Sequence, residues 1–67
     1  MLGKRIKTLR KKYGLTQEEL AKLLRISHWT LGCYERGKYV PSATTVGDIA
    51  RFFNVTTDSL IFGEDKK

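Results

Sequence analysis

The stretch LTQEELAKLLRISHWTLGCYERGK, residues 15–38, decides the fold of this chain. Two of its residues, Thr16 and Ser27, each precede a segment with apolar residues at helical spacing. A hydroxyl at such a position accepts a hydrogen bond from a free amide of the first helical turn. Glu19, three residues after Thr16, completes a capping box. The stretch therefore predicts two helices, over 17–24 and 28–36.

The connection between these two helices is only three residues long, Arg25-Ile26-Ser27. A connection this short makes the second helix cross the first steeply, which is the geometry of a helix-turn-helix. The pair needs further helices to bury its apolar faces, and the rest of the chain carries the signals for them.

Helix starts and stops recur outside this stretch. Ser42 and Thr56 each lie four residues before an apolar residue, and Gly14, Gly37, Gly63 and Asn54 fall where a left-handed residue ends a helix. We find no convincing strand pattern with period two. The prediction is one compact all-α domain over residues 1–67, with a tail at 63–67 and further helices near 2–12, 43–53 and 57–62.

The charge of the chain is positive and unevenly distributed. Thirteen Lys and Arg residues against seven Asp and Glu residues give a formal net charge of +6 on 67 residues. Residues 1–38 hold ten of these bases and three acids, whereas residues 39–67 hold three bases and four acids. One interpretation is a solvated surface that keeps a small protein soluble. The other is an electrostatic footprint for a polyanion, with nucleic acid favoured over an anionic membrane surface.

Other classes of function lack the residues they need. One cysteine, Cys33, and one histidine, His28, are too few for a disulfide or a structural zinc site. His28 precedes Cys33 by five residues on the same predicted helix, poorly placed to activate a thiolate nucleophile, so we expect no enzyme, metal or cofactor. Without a signal peptide or an apolar run long enough to span a membrane, the expected location is cytoplasmic.

In these features the sequence resembles the Cro and phage-repressor type helix-turn-helix domains, the XRE family. The resemblance extends from Leu2 to about Phe62, and its specificity comes from several segments in the right order and at the right spacing. These segments are GKRIKTLRKKYGLTQEELAKLL, IS before the third helix, YERGK, PS before the fourth, and NVTTDSL at the fifth. The resemblance implies a five-helix lambda-repressor-like fold and a sequence-specific regulator of transcription, with repression favoured, that binds double-stranded DNA.

The resemblance also implies roles for single residues. Gln17, at the start of the second helix, matches a position that grips a backbone phosphate with its side chain and amide, where the helix dipole favours an anion. Arg10 and Glu35 match a structural ion pair between the first and third helices. The full set of phosphate-contacting candidates is Gln17, Thr30, Arg36, Lys38, Tyr39 and Arg10.

The third helix is expected to lie in the major groove with four residues facing bases. These are His28, Trp29, Gly32 and Cys33, where the family usually has Gln, Arg, Ser and Lys. His28 can donate or accept at a purine N7 or O6, and Trp29 offers an N–H donor and an apolar face for a thymine methyl group. None of the four can form the bidentate bonds that arginine makes to guanine or glutamine makes to adenine.

This unusual set leaves two interpretations of Trp29. Either specificity is modest and depends on DNA shape and methyl contacts, or Trp29 anchors a protein partner in an interaction or antitoxin-type module. Cys33 is read as an inert thiol, with a redox switch as the less favoured alternative. Arg25 stands where relatives usually carry glycine, so either its charge offsets the strain of a left-handed conformation or the turn differs in geometry.

A single copy of so small a domain offers too little contact for tight specific binding. We therefore expect a homodimer on a pseudo-palindromic operator. Its dimer surface is predicted in the near-neutral, apolar-rich C-terminal part, from residues that five short helices cannot all bury. The predicted surface consists of Phe52, Thr57, Asp58, Ile61 and Phe62.

Overall fold

Five helices account for most of residues 2–63, the part of the chain that the computed structural model describes. They are α1 (Leu2–Lys12), α2 (Gln17–Leu24), α3 (His28–Arg36), α4 (Ala43–Phe53) and α5 (Thr57–Phe62). These bounds and the all-α class confirm the prediction, and no strand occurs within the described range. Most of the predicted tail, residues 64–67, lies outside the described residues. None of the five helices is long and apolar enough to cross a membrane.

The predicted start signals form the expected caps. The Thr16 hydroxyl accepts from the Glu19 amide at 3.0 Å, and the Glu19 carboxylate accepts from the Thr16 amide at 2.9 Å. Ser27, Ser42 and Thr56 cap α3, α4 and α5 in the same way, each accepting from the amide three residues later. Each of these oxygens satisfies an amide that has no partner inside its own helix.

Left-handed residues end four of the helices. Arg25, Gly37, Asn54 and Gly63 have φ values of 62°, 77°, 58° and 73°. Arg25 therefore adopts the left-handed conformation that favours glycine. Of the two sequence-based alternatives, a turn of different geometry is thus excluded. Its amide bonds to the carbonyl oxygens of Ala21 and Lys22, so the turn after α2 closes in spite of the strain.

The core lies between the five helices and is small. Tyr13, just after α1, lies at the edge of the core. Its hydroxyl donates to the Phe53 carbonyl oxygen at 3.2 Å, and the centres of the two rings are 5.1 Å apart. Leu23 of α2 is exposed and does not belong to the core. The buried residues in mutual contact are Ile6, Leu9, Leu20, Ala21, Leu31, Val46, Ile49, Ala50, Phe53 and Leu60.

The contact between α1 and α3, which we call the α1–α3 joint, is formed by Gly3, Arg10, Tyr34 and Glu35. A Cβ atom on Gly3 would lie 2.8 Å from the Glu35 carbonyl oxygen and closer still to that of Tyr34, so only glycine fits here. Arg10 donates from Nε to Glu35 Oε2 at 2.7 Å and from Nη2 to Oε1 at 3.2 Å. The structure thus contains the ion pair that the resemblance implies.

Candidate nucleic-acid interface

The turn between α2 and α3 sets the direction of the third helix. After the left-handed Arg25, the Ile26 amide bonds to the Ala21 carbonyl oxygen at 3.0 Å, and Ser27 caps α3. Ile26 packs against the core while Arg25 and Ser27 remain exposed. This fixed turn projects the first residues of α3 away from the protein.

The first two residues of α3, His28 and Trp29, form an exposed surface that we call the reading edge. Trp29 is 60% exposed, and its ring meets that of Tyr39 edge-on at 5.7 Å, with 64° between the planes. Trp29 therefore stands on the surface in a position braced by a second aromatic ring. Beside the reading edge is an open hollow of about 430 Å³, lined by Gln17, His28, Trp29, Gly32 and Arg36.

Two of the four expected base-reading residues are buried. Cys33 is completely buried, and Nη2 of Arg36 lies 3.6 Å from its Sγ. Its expected contact with a base edge is wrong, and its burial favours the inert thiol. Gly32 is also buried, at the base of the hollow.

The burial of Gly32 has a local cause. A Cβ atom at this position would lie 3.3 Å from Nη1 of Arg36 and 3.8 Å from Oε1 of Gln17. These two side chains therefore extend over the Gly32 backbone. A base edge would reach position 32 only through the hollow, so a base contact at Gly32 stays a prediction, and His28 and Trp29 are the exposed members of the set.

Most of the candidate phosphate contacts lie at the surface. Arg36, Lys38 and Tyr39 are exposed, and neither of the two cations forms an ion pair within residues 2–63. Thr30 is half-buried, and its Oγ1 accepts from the Ser27 hydroxyl at 2.7 Å. Since that bond uses an acceptor site, the Thr30 hydroxyl proton stays available for an outside acceptor such as a phosphate oxygen.

Arg10 is the exception in this set. It is 8% exposed, and its guanidinium bonds to both Glu35 oxygens and, through Nη1, to the Leu15 carbonyl oxygen at 2.8 Å. A guanidinium turned inward to this degree does not reach a phosphate. The expected phosphate contact of Arg10 is wrong, and its position in the structure is that of a buried ion-pair partner.

A chain of polar side chains connects the α1–α3 joint to the reading edge. Gln17 Nε2 donates to Glu35 Oε1 at 3.0 Å, and Gln17 Oε1 lies 3.1 Å from His28 Nε2. Sequence reasoning assigned Glu35 to Arg10 alone and did not foresee this connection. Gln17 lies on α2, whereas His28 and Glu35 lie on α3. The spacing of residues along a single helix therefore does not indicate this connection.

The predicted dimer surface is exposed in the isolated chain. Phe62 is 70% exposed, Ile61 and Phe52 are partly exposed, and Thr57 and Asp58 lie at the surface of the first turn of α5. Phe52 also packs edge-on against the buried Phe53, with 5.0 Å between the ring centres. The residues thus leave apolar area uncovered near the end of α4 and in α5.

Comparison with known proteins gives consistent matches. Residues 6–60 match the helix-turn-helix family model. An uncharacterized HTH-type transcriptional regulator of Archaeoglobus fulgidus is 43% identical over 63 residues, which is 94% of this chain and 90% of that protein. The uncharacterized HTH-type transcriptional regulator YazB of Bacillus subtilis is 47% identical over 58 residues, 87% of this chain and 84% of that protein. The P22 c2 repressor, solved in complex with a synthetic operator, has a TM-score of 0.88 at 25% identity, covering 96% of this chain and 97% of that one.

Proposed function

This chain belongs to the helix-turn-helix family, and we propose that it is a transcriptional regulator, acting as a repressor, that binds double-stranded DNA in a sequence-specific manner. Helix α3 enters the major groove with its first turn, and His28 and Trp29 contact base edges. The relatives described as transcriptional regulators and the operator complex of the P22 c2 repressor support this class of function. The protein acts in the cytoplasm by binding DNA and not by catalysis.

The observation that carries this proposal is the exposure of the reading edge beside unpaired cations. Trp29 is 60% exposed at the start of α3, and Arg36 and Lys38, at and just beyond the end of α3, form no ion pair among the described residues. An apolar and hydrogen-bonding tip flanked by positive charge fits a groove bordered by phosphates. Tryptophan is also enriched among the residues that dominate binding energy at interfaces.

Residues around the reading edge position the protein on the DNA backbone. Gln17 at the first turn of α2, the Thr30 hydroxyl, Arg36, Lys38 and Tyr39 are the proposed phosphate contacts. Their hydrogen bonds and charges set register and affinity without reading sequence. The N-terminal amides of α2 add a positive dipole end beside Gln17.

Two copies of the chain act together in this proposal. Phe52, Ile61 and Phe62, with Thr57 and Asp58 beside them, form the contact between the copies. These residues support the proposal because the first three leave apolar surface exposed and belong to the part of the sequence that lacks the positive excess. A two-fold dimer places two α3 helices about one helical turn apart along the duplex.

A second candidate function rests on the same tryptophan. In a protein-interaction or antitoxin-type module, the exposed Trp29 ring, braced by Tyr39, inserts into a protein partner. Binding to such a partner depends on Trp29 and does not change when Lys38 is replaced. Lys38→Ala therefore distinguishes the two functions, because it weakens binding to DNA and leaves binding to a protein partner unchanged.

The test is a selection of binding sites from a random duplex library at two salt concentrations. We expect one enriched pseudo-palindromic motif. The affinity should fall steeply with salt, because each neutralised phosphate contributes about −0.9 to the slope of log K against log salt concentration. Lys38→Ala makes this slope shallower and weakens binding to all DNA sequences by the same factor. Lys38→Arg, which keeps the charge, is the matched control. An unenriched library together with a flat salt response would refute the regulator and leave the protein-interaction module.

A further inference from the structure

The carboxylate of Glu35 orders the polar chain that ends at His28. Its side chain is 2% exposed and ion-paired with Arg10, whose Nε and Nη2 donate to it at 2.7 Å and 3.2 Å. An ionised carboxylate only accepts hydrogen bonds. The group that faces Glu35 Oε1 from the other side must therefore be a donor.

That group is the amide of Gln17, and its orientation is fixed as a consequence. The amide nitrogen Nε2 points to Glu35 Oε1 at 3.0 Å, which turns the carbonyl oxygen Oε1 toward His28. The reverse orientation would put an oxygen against a carboxylate oxygen and leave two acceptors in contact. The assignment of nitrogen and oxygen in Gln17 thus follows from the charge of its partner.

The orientation of Gln17 in turn determines the proton of His28. Gln17 Oε1 can only accept, so His28 Nε2, 3.1 Å away, must carry a hydrogen. In the neutral imidazole the other nitrogen, Nδ1, is then an acceptor with a free lone pair. No group within residues 2–63 forms a hydrogen bond with Nδ1, and His28 is exposed.

We propose that neutral His28 reads its base as a hydrogen-bond acceptor through Nδ1, and that it selects adenine or cytosine at the base it contacts. In the major groove, the donors are N6 of adenine and N4 of cytosine, whereas guanine offers the acceptors N7 and O6 and thymine the acceptor O4. This inference rests on the proposed function and narrows the sequence-based expectation, in which His28 acted at a purine N7 or O6 in either role.

Gln17 and Glu35 are positioning residues in this proposal. Arg10 holds Glu35, Glu35 orients Gln17, and Gln17 fixes the donor and acceptor ends of His28. A buried ion pair that touches no DNA therefore contributes to the choice of base. Gln17 has a further proposed role at a phosphate, which affects all sequences equally and is separable from the choice of base.

The experiment is the random duplex selection, carried out with the full chain at a pH where the ¹⁵N resonances of the imidazole show it to be neutral, because protonated imidazole has no acceptor. His28→Ala identifies the contacted position, as the one where preference is lost. At that position the wild-type protein is expected to favour adenine or cytosine roughly fivefold or more over guanine and thymine.

The positioning role is tested with Gln17→Met, which keeps the length of the side chain and removes the amide. We expect the preference at the His28 position to fall while the preferences at the other positions persist, even though overall affinity decreases. In the free wild-type protein, the ¹⁵N shifts should show hydrogen on Nε2 and none on Nδ1.

Three results overturn the inference and leave the regulator intact: guanine or thymine at the His28 position, a hydrogen on Nδ1 of the neutral ring, or an unchanged preference in Gln17→Met. A selection that enriches no motif at all overturns the proposed function itself. The two failures are thus distinguishable in one data set.

Discussion

The α1–α3 joint and the reading edge both involve α3, yet they differ in almost every physical respect. At the joint, Arg10 and Glu35 are nearly inaccessible to water and bonded to each other, and Gly3 lies against the backbone of α3. At the reading edge, Trp29 is largely exposed and His28 has one hydrogen-bond partner. One helix therefore carries a surface under tight packing constraint and a surface that is free to change.

This difference teaches that stability and recognition are separated along α3 and connected through one side chain, Gln17. Substitutions at the joint should act on the free energy of unfolding, because they disturb buried charge and close backbone contact. Substitutions at the reading edge should act mainly on binding, since exposed side chains outside such features contribute little to stability. Two substitutions at the joint and one in the turn before α3, each with a control, are considered through the free energy of unfolding.

Glu35→Ala should have the largest effect. It leaves the Arg10 guanidinium buried without its carboxylate, and loss of one partner of a buried pair costs about 3–5 kcal/mol. A domain of this size has a total stability of only about 3–10 kcal/mol. We therefore expect a large fall in the urea midpoint, or a chain unfolded in buffer, measured by circular dichroism.

The matched control for Glu35→Ala is Asp48→Ala. Asp48 pairs with Arg51 at 3.0 Å, but both side chains are largely exposed. Loss of an exposed pair of this kind should cost less than about 0.5 kcal/mol. Equal losses in the two variants would contradict the claim that the joint is the constrained region.

Gly3→Ala should have the second-largest effect. The added methyl group meets the carbonyl oxygens of Tyr34 and Glu35, so α1 must move away from α3 at a cost of about 1–3 kcal/mol. Gly47→Ala is the control, because a Cβ atom at position 47 of α4 meets nothing within 4 Å. There, the higher helix propensity of alanine should raise stability by up to about 1 kcal/mol. Effects of the same sign in both variants would refute the close approach.

Local signals in the sequence were sufficient for the helices. Thr16, Ser27 and the left-handed glycines act on neighbouring amides and carbonyl groups, so the sequence predicted all five helices with their bounds. Gly3 gave no such signal, since its constraint comes from a carbonyl oxygen 31 residues away along the chain. A contact between distant segments depends on the packing of the whole fold.

The site was predictable where exposure follows from helix periodicity alone. Trp29 lies opposite the inner face of α3 and is exposed as expected. Cys33 was assigned to the outer face with the other base-reading positions that the resemblance implies, but it is completely buried. Arg10 was assigned both to the ion pair with Glu35 and to a phosphate contact. Its three inward hydrogen bonds leave only the ion pair. Periodicity describes a single helix and does not include the segments that later pack on it.

Arg25→Gly should have the smallest effect and the opposite sign. Arg25 has φ 62° and ψ 40°, a left-handed conformation that costs a side chain about 1 kcal/mol relative to glycine. Replacement should therefore raise the free energy of unfolding by up to about 1 kcal/mol. Asn54→Gly is the control: Asn54 has φ 58°, but asparagine tolerates this region better, so its gain should be smaller.

The binding of Arg25→Gly then tests how far the reading edge extends. Arg25 borders a hollow with Leu24, Asp48 and Phe52, whereas the hollow beside the reading edge is lined by other residues, among them Gln17 and Arg36. Its charge therefore lies on the side of α4, and we expect duplex affinity within about twofold of wild type and an unchanged salt slope. A clear fall in affinity with a shallower slope would mean that Arg25 neutralises a phosphate and that its strain is retained for binding. In that case a cost in stability and a contribution to binding would coincide at one residue in the turn before α3, unlike the separation seen between the α1–α3 joint and the reading edge.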